Sequence, residues 1–445
     1  PVAERARELE RRLERMGEAL KAAGGLEEFA PVGVPRQEAA WTCGRVCLDA
    51  AAGRLTAAAV ALEGDLRRSG GHRVPLDLSA VPRAALFPGQ IVAVRGVNAS
   101  GQRAVAQQLV EGAPLPPATH AAEALLRYCH GPAGANGQPL VVLVAAGPFT
   151  AGTDLAYRPL EDLLAVAARR RPDLLLLCGP FVDEDHPQVA AGAPKLEAEG
   201  GAEETVDAHT LFAARVSEKL RAFYAAGGAG AQRTRVALVP SPRDAFHDAA
   251  FPQPPFADKQ VEGGVPNPFF EGDTLGTLDI PFSAGLEKRV HCVPNPATLS
   301  LNEVTIGVTS NDVLFDISSN SVMINAGNRM AKLAELLIQQ QSYYPVYPPP
   351  ERMEAKLDLR HAAKWRMPVT PDVLVVPSRL AYFAKNVGGV LCLNPGFLAK
   401  GAGAGTYAEV TVHPAPRDQL EKVQPQSKAI PARVAERTVV EIKRI

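Results

Sequence analysis

Four short apolar runs, each ending in a proline turn, constrain this chain more than any other feature. They read Leu140 to Thr150 (LVVLVAAGPFT), Asp173 to Asp183 (DLLLLCGPFVD), Val236 to Asp244 (VALVPSPRD) and Asp372 to Leu380 (DVLVVPSRL). A strand that does not alternate polar with apolar residues is buried on both faces, the pattern of a parallel sheet covered on each side. Pro159 to Arg170 and Asp207 to Ala225 carry the helical period between the first three runs, as crossover connections would. Later strands are expected near Val290 to Val293, Val304 to Thr309, Val373 to Val376, Val390 to Leu393 and Ala408 to His413. That number allows a second sheet, so the expected architecture of this region is a two-sheet α/β sandwich.

The order of strands and turns resembles that of the binuclear, calcineurin-like metallophosphoesterases. Their strand ends carry Asp-x-His, Gly-Asp-x-x-Asp, Gly-Asn-His-Asp/Glu and Gly-His-x-His. In this chain the corresponding positions hold other residues. Pro180 follows Gly179 where the metal-bridging Asp would stand, and Pro242 and Arg243 replace the Asn-His pair. Ser378 and Leu380 replace the last two histidines, while Asp183 and Asp244 remain. Two divalent cations a few ångströms apart need carboxylate and imidazole ligands, which proline, serine and leucine cannot supply. The resemblance therefore implies an inactive phosphoesterase domain, with no catalytic residue, no metal and no cofactor. One alternative stays open. Asp183, Asp185 and His186 after the second strand, and Asp244, His247 and Asp248 after the third, are residue types of a reorganised metal site; they are equally those of helix caps and loop hydrogen-bonders.

Lys plus Arg number 47 and Asp plus Glu 48, a net charge of −1, so no global field attracts a phosphate backbone. Any contact with DNA is expected to be local, weak or indirect. The six cysteines (Cys43, Cys47, Cys129, Cys178, Cys292 and Cys392) lack paired zinc-ligand spacing and are read as reduced thiols of a cytosolic or nuclear protein. No apolar run reaches the length of a membrane span, and no membrane association is expected. The chain opens on Pro1 rather than Met, from which a truncated or processed product lacking an upstream region is expected.

Residues 1 to about 24 form a charged helix with Val2, Ala6, Leu9, Leu13, Met16 and Leu20 on one stripe, ended by Gly24 and Gly25. From Trp41 the pattern changes to short strands: Trp41 to Leu48, Ala57 to Glu63, His72 to Leu78, Gln90 to Val97 and Arg103 to Glu111. Five strands of this length suit an oligonucleotide-binding-type barrel. Only Trp41 and Phe87 could stack on bases there, and core or protein interface is the preferred account of both. The expected domains are thus 1–35 (helix and linker), 36–118 (barrel) and 138–445 (sandwich). Two stretches interrupt the sandwich. Phe251 to Gly285 is rich in Pro, Gly and Phe, and Tyr343 to about Arg366 opens on Tyr343-Tyr344-Pro345-Val346-Tyr347. The first is expected as an extended surface loop; the second is read as a packed loop or a proline-rich ligand.

Longer motifs identify a family. They include LFPGQIVAVRGVN (Leu86 to Asn98), VLVAAGPFT (Val142 to Thr150), RPDLLLLCGPFVDEDHPQV (Arg171 to Val189), VPSPRDAFHD (Val239 to Asp248), QSYYPVYPP (Gln341 to Pro349) and CLNPGFLAKGAGAGTYAEV (Cys392 to Val410). In these the chain resembles the B subunits of DNA polymerase α, accessory subunits of polymerase α–primase. The resemblance implies an oligonucleotide-binding-type barrel joined to an inactive phosphoesterase domain. It further implies a nuclear, non-catalytic scaffold that binds the zinc-containing C-terminal domain of the catalytic subunit and helps link it to primase during initiation of DNA replication. The rival expectations are a residual metal-dependent phosphoesterase and a single-strand DNA-binding module. Phe251, Phe256, Tyr343, Tyr344 and Tyr347 are the candidate partner-contact residues.

Overall fold

The computed structural model describes the whole chain except residues 1, 27, 50–52, 133, 198–201, 227–230, 232, 258–288, 355 and 424–428. Two compact units are present. One comprises Pro1–Pro117 with Val313–Thr370, the other Ala118–Asp312 with Pro371–Ile445.

In the first unit the strands are β1 (Arg36–Leu48), β2 (Val60–Glu63), β3 (Arg73–Asp77), β4 (Ala84–Leu86), β5 (Ile91–Asn98) and β6 (Ala104–Val110). A closed barrel forms in the order β1-β2-β3-β6-β5, filled by Val46, Val60, Leu62, Val74, Leu76, Val92, Val94 and Ala106. Phe87 is wholly buried and Trp41 is half-buried. Helix Val2–Gly24 lays Leu13, Met16 and Leu20 on the outside of the barrel, against Phe29, Ile91, Ala93 and Ala113. The apolar stripe read from the sequence is the face that packs.

The apolar runs alone place 138–445 in a single domain, whereas Val313–Thr370 packs with the barrel. Backbone and amide hydrogen bonds hold it there. Val322–Ile324 pairs antiparallel with β4. Beyond helix Arg329–Gln339, the Gln340 amide donates to the carbonyls of Ile91 and Glu111, each at 2.8 Å, and accepts from the Ile91 N–H at 2.9 Å. Gln341 donates to the Ala113 carbonyl at 2.8 Å, and the Tyr347 N–H to that of Pro88 at 3.0 Å. Gly89, at φ +90°, is required here: a Cβ would lie 2.4 Å from the Tyr347 nitrogen.

The second unit is built on β7 (Leu140–Ala146), β8 (Leu174–Cys178), β9 (Arg235–Val239), β10 (Val290–Cys292), β11 (Ala297–Leu301), β12 (Val304–Val308), β13 (Val373–Val375), β14 (Phe383–Val387), β15 (Val390–Asn394), β16 (Thr406–Val412) and β17 (Thr438–Arg444). One sheet has the order β10-β9-β8-β7-β16-β17, parallel from β10 to β7 and antiparallel beyond. The other has the order β11-β12-β13-β15-β14, with β12, β13 and β15 parallel. Alternate side chains explain the apolar runs. Val142, Val144, Leu174, Leu176, Ala237 and Val239 pack with Ile306, Val308, Val373, Val375, Leu391 and Leu393 of the second sheet. Leu143, Ala145, Leu175, Leu177, Val236 and Leu238 pack with helix Arg158–Arg170 and with the helical stretch Ala208–Phe212, Ala213–Ser217 and Glu218–Ala226, of which the middle piece is π-helical. Each buried Leu or Val of this kind contributes about 1.5–3 kcal/mol.

The Gln340 bonds yield a prediction for the barrel unit. Gln340→Ala leaves the Ile91 N–H and C=O buried without partners, and should cost about 2–4 kcal/mol in urea unfolding. A loss below about 1 kcal/mol would mean that water replaces the amide.

Candidate functional site

In the second unit, the turns that follow β7, β8 and β9 meet at the carboxyl ends of those strands, and their glycines allow the approach. A Cβ on Gly147 would lie 1.9 Å from the Pro180 carbonyl oxygen, and one on Gly179 would lie 2.5 Å from Asp244 Oδ2. Both positions admit only glycine at this spacing.

Asp244 joins two of the turns. Its carboxylate accepts from the backbone N–H groups of Phe181, Val182 (3.0 Å) and Ser241 (2.8 Å), and the residue is 3% exposed. Burial pushes its carboxyl up to about 7, against the pull of those donors. Asp183, also buried, accepts two bonds from Arg243 Nη2, at 2.8 and 2.6 Å, and one from the Asp185 N–H at 3.1 Å. Its carboxyl is raised by burial, with the Arg243 charge opposing. Asp185 lies 3.0 Å from the same guanidinium and is largely exposed. A fixed monocation thus sits between two carboxylates, and the turns are tied by their own polar groups.

The residues of the alternative metal site are not assembled into one. His186 caps the short helix Pro187–Ala190: its Nδ1 accepts from the Gln188 N–H at 3.3 Å, and burial lowers its pKa so that the neutral ring is favoured. His247 contacts the Pro254 carbonyl through Nε2 at 2.9 Å, and Asp248 is exposed, offering its carbonyl to Gln253. Among the described residues, no group of three or more His, Cys, Asp or Glu side chains could hold a metal ion.

Ser378 and Leu380 lie in the turn after β13. The Ser378 hydroxyl donates to Asp312 Oδ1, its N–H donates to Asn394 Oδ1 at 3.0 Å, and the Leu380 N–H donates to the Ser378 hydroxyl at 3.2 Å. Arg379 donates to Asp312 at 2.9 Å. Sequence reasoning does not reach Asp312; its one signal there is an Asn-Asp pair just past a buried strand.

Four of the five candidate partner-contact residues are buried, and Tyr347 is half-buried. Phe256 belongs to an aromatic cluster with Phe181, Phe212 and Phe246, at centroid distances of 5.2 to 5.5 Å, and Phe251 is wholly buried. The stretch around them is therefore packed where it is described; 258–285 lies outside the described residues. In the first unit, Tyr343 and Tyr344 are buried, Tyr344 donating to Asp316 Oδ2 at 2.8 Å, and Tyr347 is half-buried under the Arg45 guanidinium at 5.8 Å. The rings of Phe251, Phe256, Tyr343 and Tyr344 thus lie in the core of their own units, and only that of Tyr347 is partly displayed. Among the two readings of the Tyr343 to Arg366 stretch, the packed loop is the one found.

Residues 142–385 match the model of the B-subunit family of DNA polymerase alpha/epsilon, and residues 7–112 that of the OB domain in the B subunit of DNA polymerase alpha. The chain is 34% identical over 408 residues to the DNA polymerase alpha B subunit of Mus musculus, covering 91% of this chain and 60% of that protein. Its likeness to the Schizosaccharomyces pombe protein of the same description is 31% over 398 residues (87% and 62%), and to the Saccharomyces cerevisiae one 26% over 426 residues (86% and 55%). The chain thus spans about 60% of the length of the first two relatives. A conserved uncharacterized protein of Streptococcus pneumoniae, a predicted phosphoesterase, is alike in structure over 69% of this chain and 98% of its own, with a TM-score of 0.25 at 12% identity, too slight a likeness to bear on function.

Two outcomes are expected at this site. Arg243→Met leaves Asp183 buried without its counter-charge and should cost about 3 kcal/mol in chemical unfolding, most of it recovered by adding Asp183→Asn. The second concerns pH. Asp244 holds its proton more tightly folded than unfolded, so its contribution to stability is full below about 4 and is lost as pH rises through about 7. The unfolding temperature of the natural chain should therefore fall, relative to that of Asp244→Asn, between about pH 4 and pH 7. Parallel curves would mean that Asp244 is already ionised across that range.

Proposed function

The chain belongs to the B-subunit family of DNA polymerase alpha/epsilon, and from that premise we propose that it is a non-catalytic accessory subunit of DNA polymerase α–primase. In this reading it holds the zinc-containing C-terminal domain of the catalytic subunit and links it to primase in the nucleus during initiation of DNA replication. The observation that carries the non-catalytic part is the Arg243 guanidinium, bound to Asp183 at 2.6 and 2.8 Å. An arginine is always charged and cannot ligate a metal, so it supplies positive charge to Asp183 without Lewis acidity or an activated water. The positions Gly179, Pro180, Asp183, Pro242, Arg243, Asp244, Ser378 and Leu380 then serve to hold turns rather than to do chemistry. Pro180, Pro242 and Leu380 have no side-chain ligand atom, and Asp244 already accepts three backbone hydrogen bonds.

A scaffold needs rigid turns on a buried frame, and both carboxylates give rigidity here. Because the aromatic side chains of both proline-rich stretches are largely internal, partner contact falls to exposed polar positions around them, as in the polar, wet interfaces of non-obligate complexes. The test is purification of the chain alone and together with the zinc-containing tail of a catalytic subunit, with metal content and mass measured in each case. An equimolar complex whose metal belongs to the tail, and a metal-free isolated chain without manganese-dependent diesterase activity, are expected. Stoichiometric metal in the isolated chain with diesterase activity would overturn the non-catalytic part; a chain that forms no complex would overturn the scaffold part.

A further inference from the structure

Helix Val2–Gly24 carries Glu8, Arg12 and Arg15 at spacings of four and three, which puts them on one face, and Arg366, just past the 3₁₀ stretch Leu359–Trp365, reaches that face at Glu8. Three guanidiniums thus gather around one carboxylate in the barrel unit. Glu8 accepts from Arg11 and, at 3.4 Å, from Arg366, so its charge is divided between those two.

Arg12 and Arg15 are left without a counter-charge. Arg12 donates to two neutral oxygens, the Pro345 carbonyl at 2.9 Å and Gln340 Oε1 at 3.2 Å, and its Nε is buried without a partner. Arg15 makes neither an ion pair nor a side-chain hydrogen bond among the described residues. Burial and the charges of Arg15, Arg45 and Arg366 push Arg12 down to about 9, and burial and Arg366, opposed by Glu8, push Arg15 down to about 10. Both stay charged at neutral pH, half-buried among like charges.

Neighbouring carboxylates are engaged elsewhere. Glu10 accepts from the Leu66 N–H at 2.8 Å, with Glu14 near enough to raise its pKa, and Glu18 pairs with Lys21 at 3.2 Å. Glu4 acts on Arg360, and Glu63 is divided between Arg45 and Arg73. Glu27 lies outside the described residues; Glu28, which follows it, pairs with Lys21 and Arg68, and Lys21 stands nine residues, or about 14 Å, along the helix from Arg12.

An excess of two positive charges over so few atoms selects the ligand. A carboxylate brings one charge and two oxygens. A phosphodiester backbone brings one charge per phosphate and needs a track of cations along it, which a single half-buried cluster does not provide. A phosphate monoester brings nearly two charges and three free oxygens, which guanidinium forks bind two bonds at a time.

We propose that Arg12, Arg15 and Arg366 form a binding site for a phosphate monoester dianion, which competes with Glu8 for Arg366. The site lies wholly within the barrel unit and stands whether or not the accessory-subunit reading holds.

The test is calorimetric titration of the full chain with inorganic phosphate at about pH 7.5 and constant ionic strength, with acetate as the monovalent control. Saturable binding of phosphate is expected, with acetate at least about tenfold weaker. Arg15→Met should weaken phosphate about tenfold, and Glu8→Gln, which frees Arg366, should tighten it. Arg15 holds no bond in the fold, so its variant should keep the natural far-ultraviolet spectrum. Equal affinity for acetate and phosphate, no saturable binding, or the failure of either variant to move in its stated direction would each overturn the proposal. Adenosine 5′-monophosphate and a phosphoserine peptide, titrated alongside, separate the sources of the group: tighter binding of the first assigns a free nucleotide, of the second a modified polypeptide, and of inorganic phosphate the free ion.

Discussion

Burial of both faces of β7, β8 and β9 governs the second unit. Leu143 points to the helices and Val144 to the other sheet, and the same division runs through Leu175 and Leu176, and through Leu238 and Val239. With no face left for solvent, these strands can change direction or expose a polar group only at their ends. The turns there must then satisfy their own N–H and C=O groups. Asp244 does this for Phe181, Val182 and Ser241, and Asn394 does it for the turn that holds Ser378. A site crowded in this way with structural hydrogen bonds has few lone pairs to offer a ligand.

The same arrangement shows how stability and electrostatics are linked. Asp183 and Asp244 pair through a backbone bridge and both carboxylates are buried, the charge of the first adding to the rise in the pKa of the second, and neither is tolerable without strong donors. One has a guanidinium and the other has three amides. The two solutions differ in physical character, since the ion pair favours the charged form of Asp183 whereas dipoles alone leave Asp244 near its midpoint at neutral pH. Glu409 shows the first solution again, buried between Arg170 and Lys443.

Legibility in the sequence follows periodicity. The two-sided strands, the crossover helices and the stripe Leu13, Met16 and Leu20 are readable because burial imposes a period on apolar residues. β17 escapes such a reading because Thr438–Arg444 is an edge strand carrying Glu441, Lys443 and Arg444, which blunt the apolar signal. β11 and β14 are the two edges of the second sheet; Lys385 and Asn386 interrupt β14, and Thr298 and Ser300 interrupt β11. At the site, the replacement of ligand residue types is visible in the letters, but the pairing of Arg243 with Asp183 is not, since sixty positions separate them. Tyr343, Tyr344, Phe251 and Phe256 mislead because prolines around aromatics suggest a displayed loop, and nothing local signals that Gln340 and Asp316 draw the first of these stretches inward.

The barrel unit is closed by Gln340, Gln341 and Tyr347, which follow it in the chain only after the whole segment Ala118–Asp312. During synthesis the barrel strands emerge first and wait for their last donors, a delay of roughly 10–40 s at translation rates of 5–20 residues per second. Over that interval the N–H and C=O of Ile91 lack the Gln340 amide, and Ala84–Leu86 is an apolar edge without its neighbour. The nascent chain therefore passes through a stage in which all five barrel strands are present but the edge Ala84–Leu86 beside them is open to wrong strand pairing, and the order of the genetic message sets how long that stage lasts.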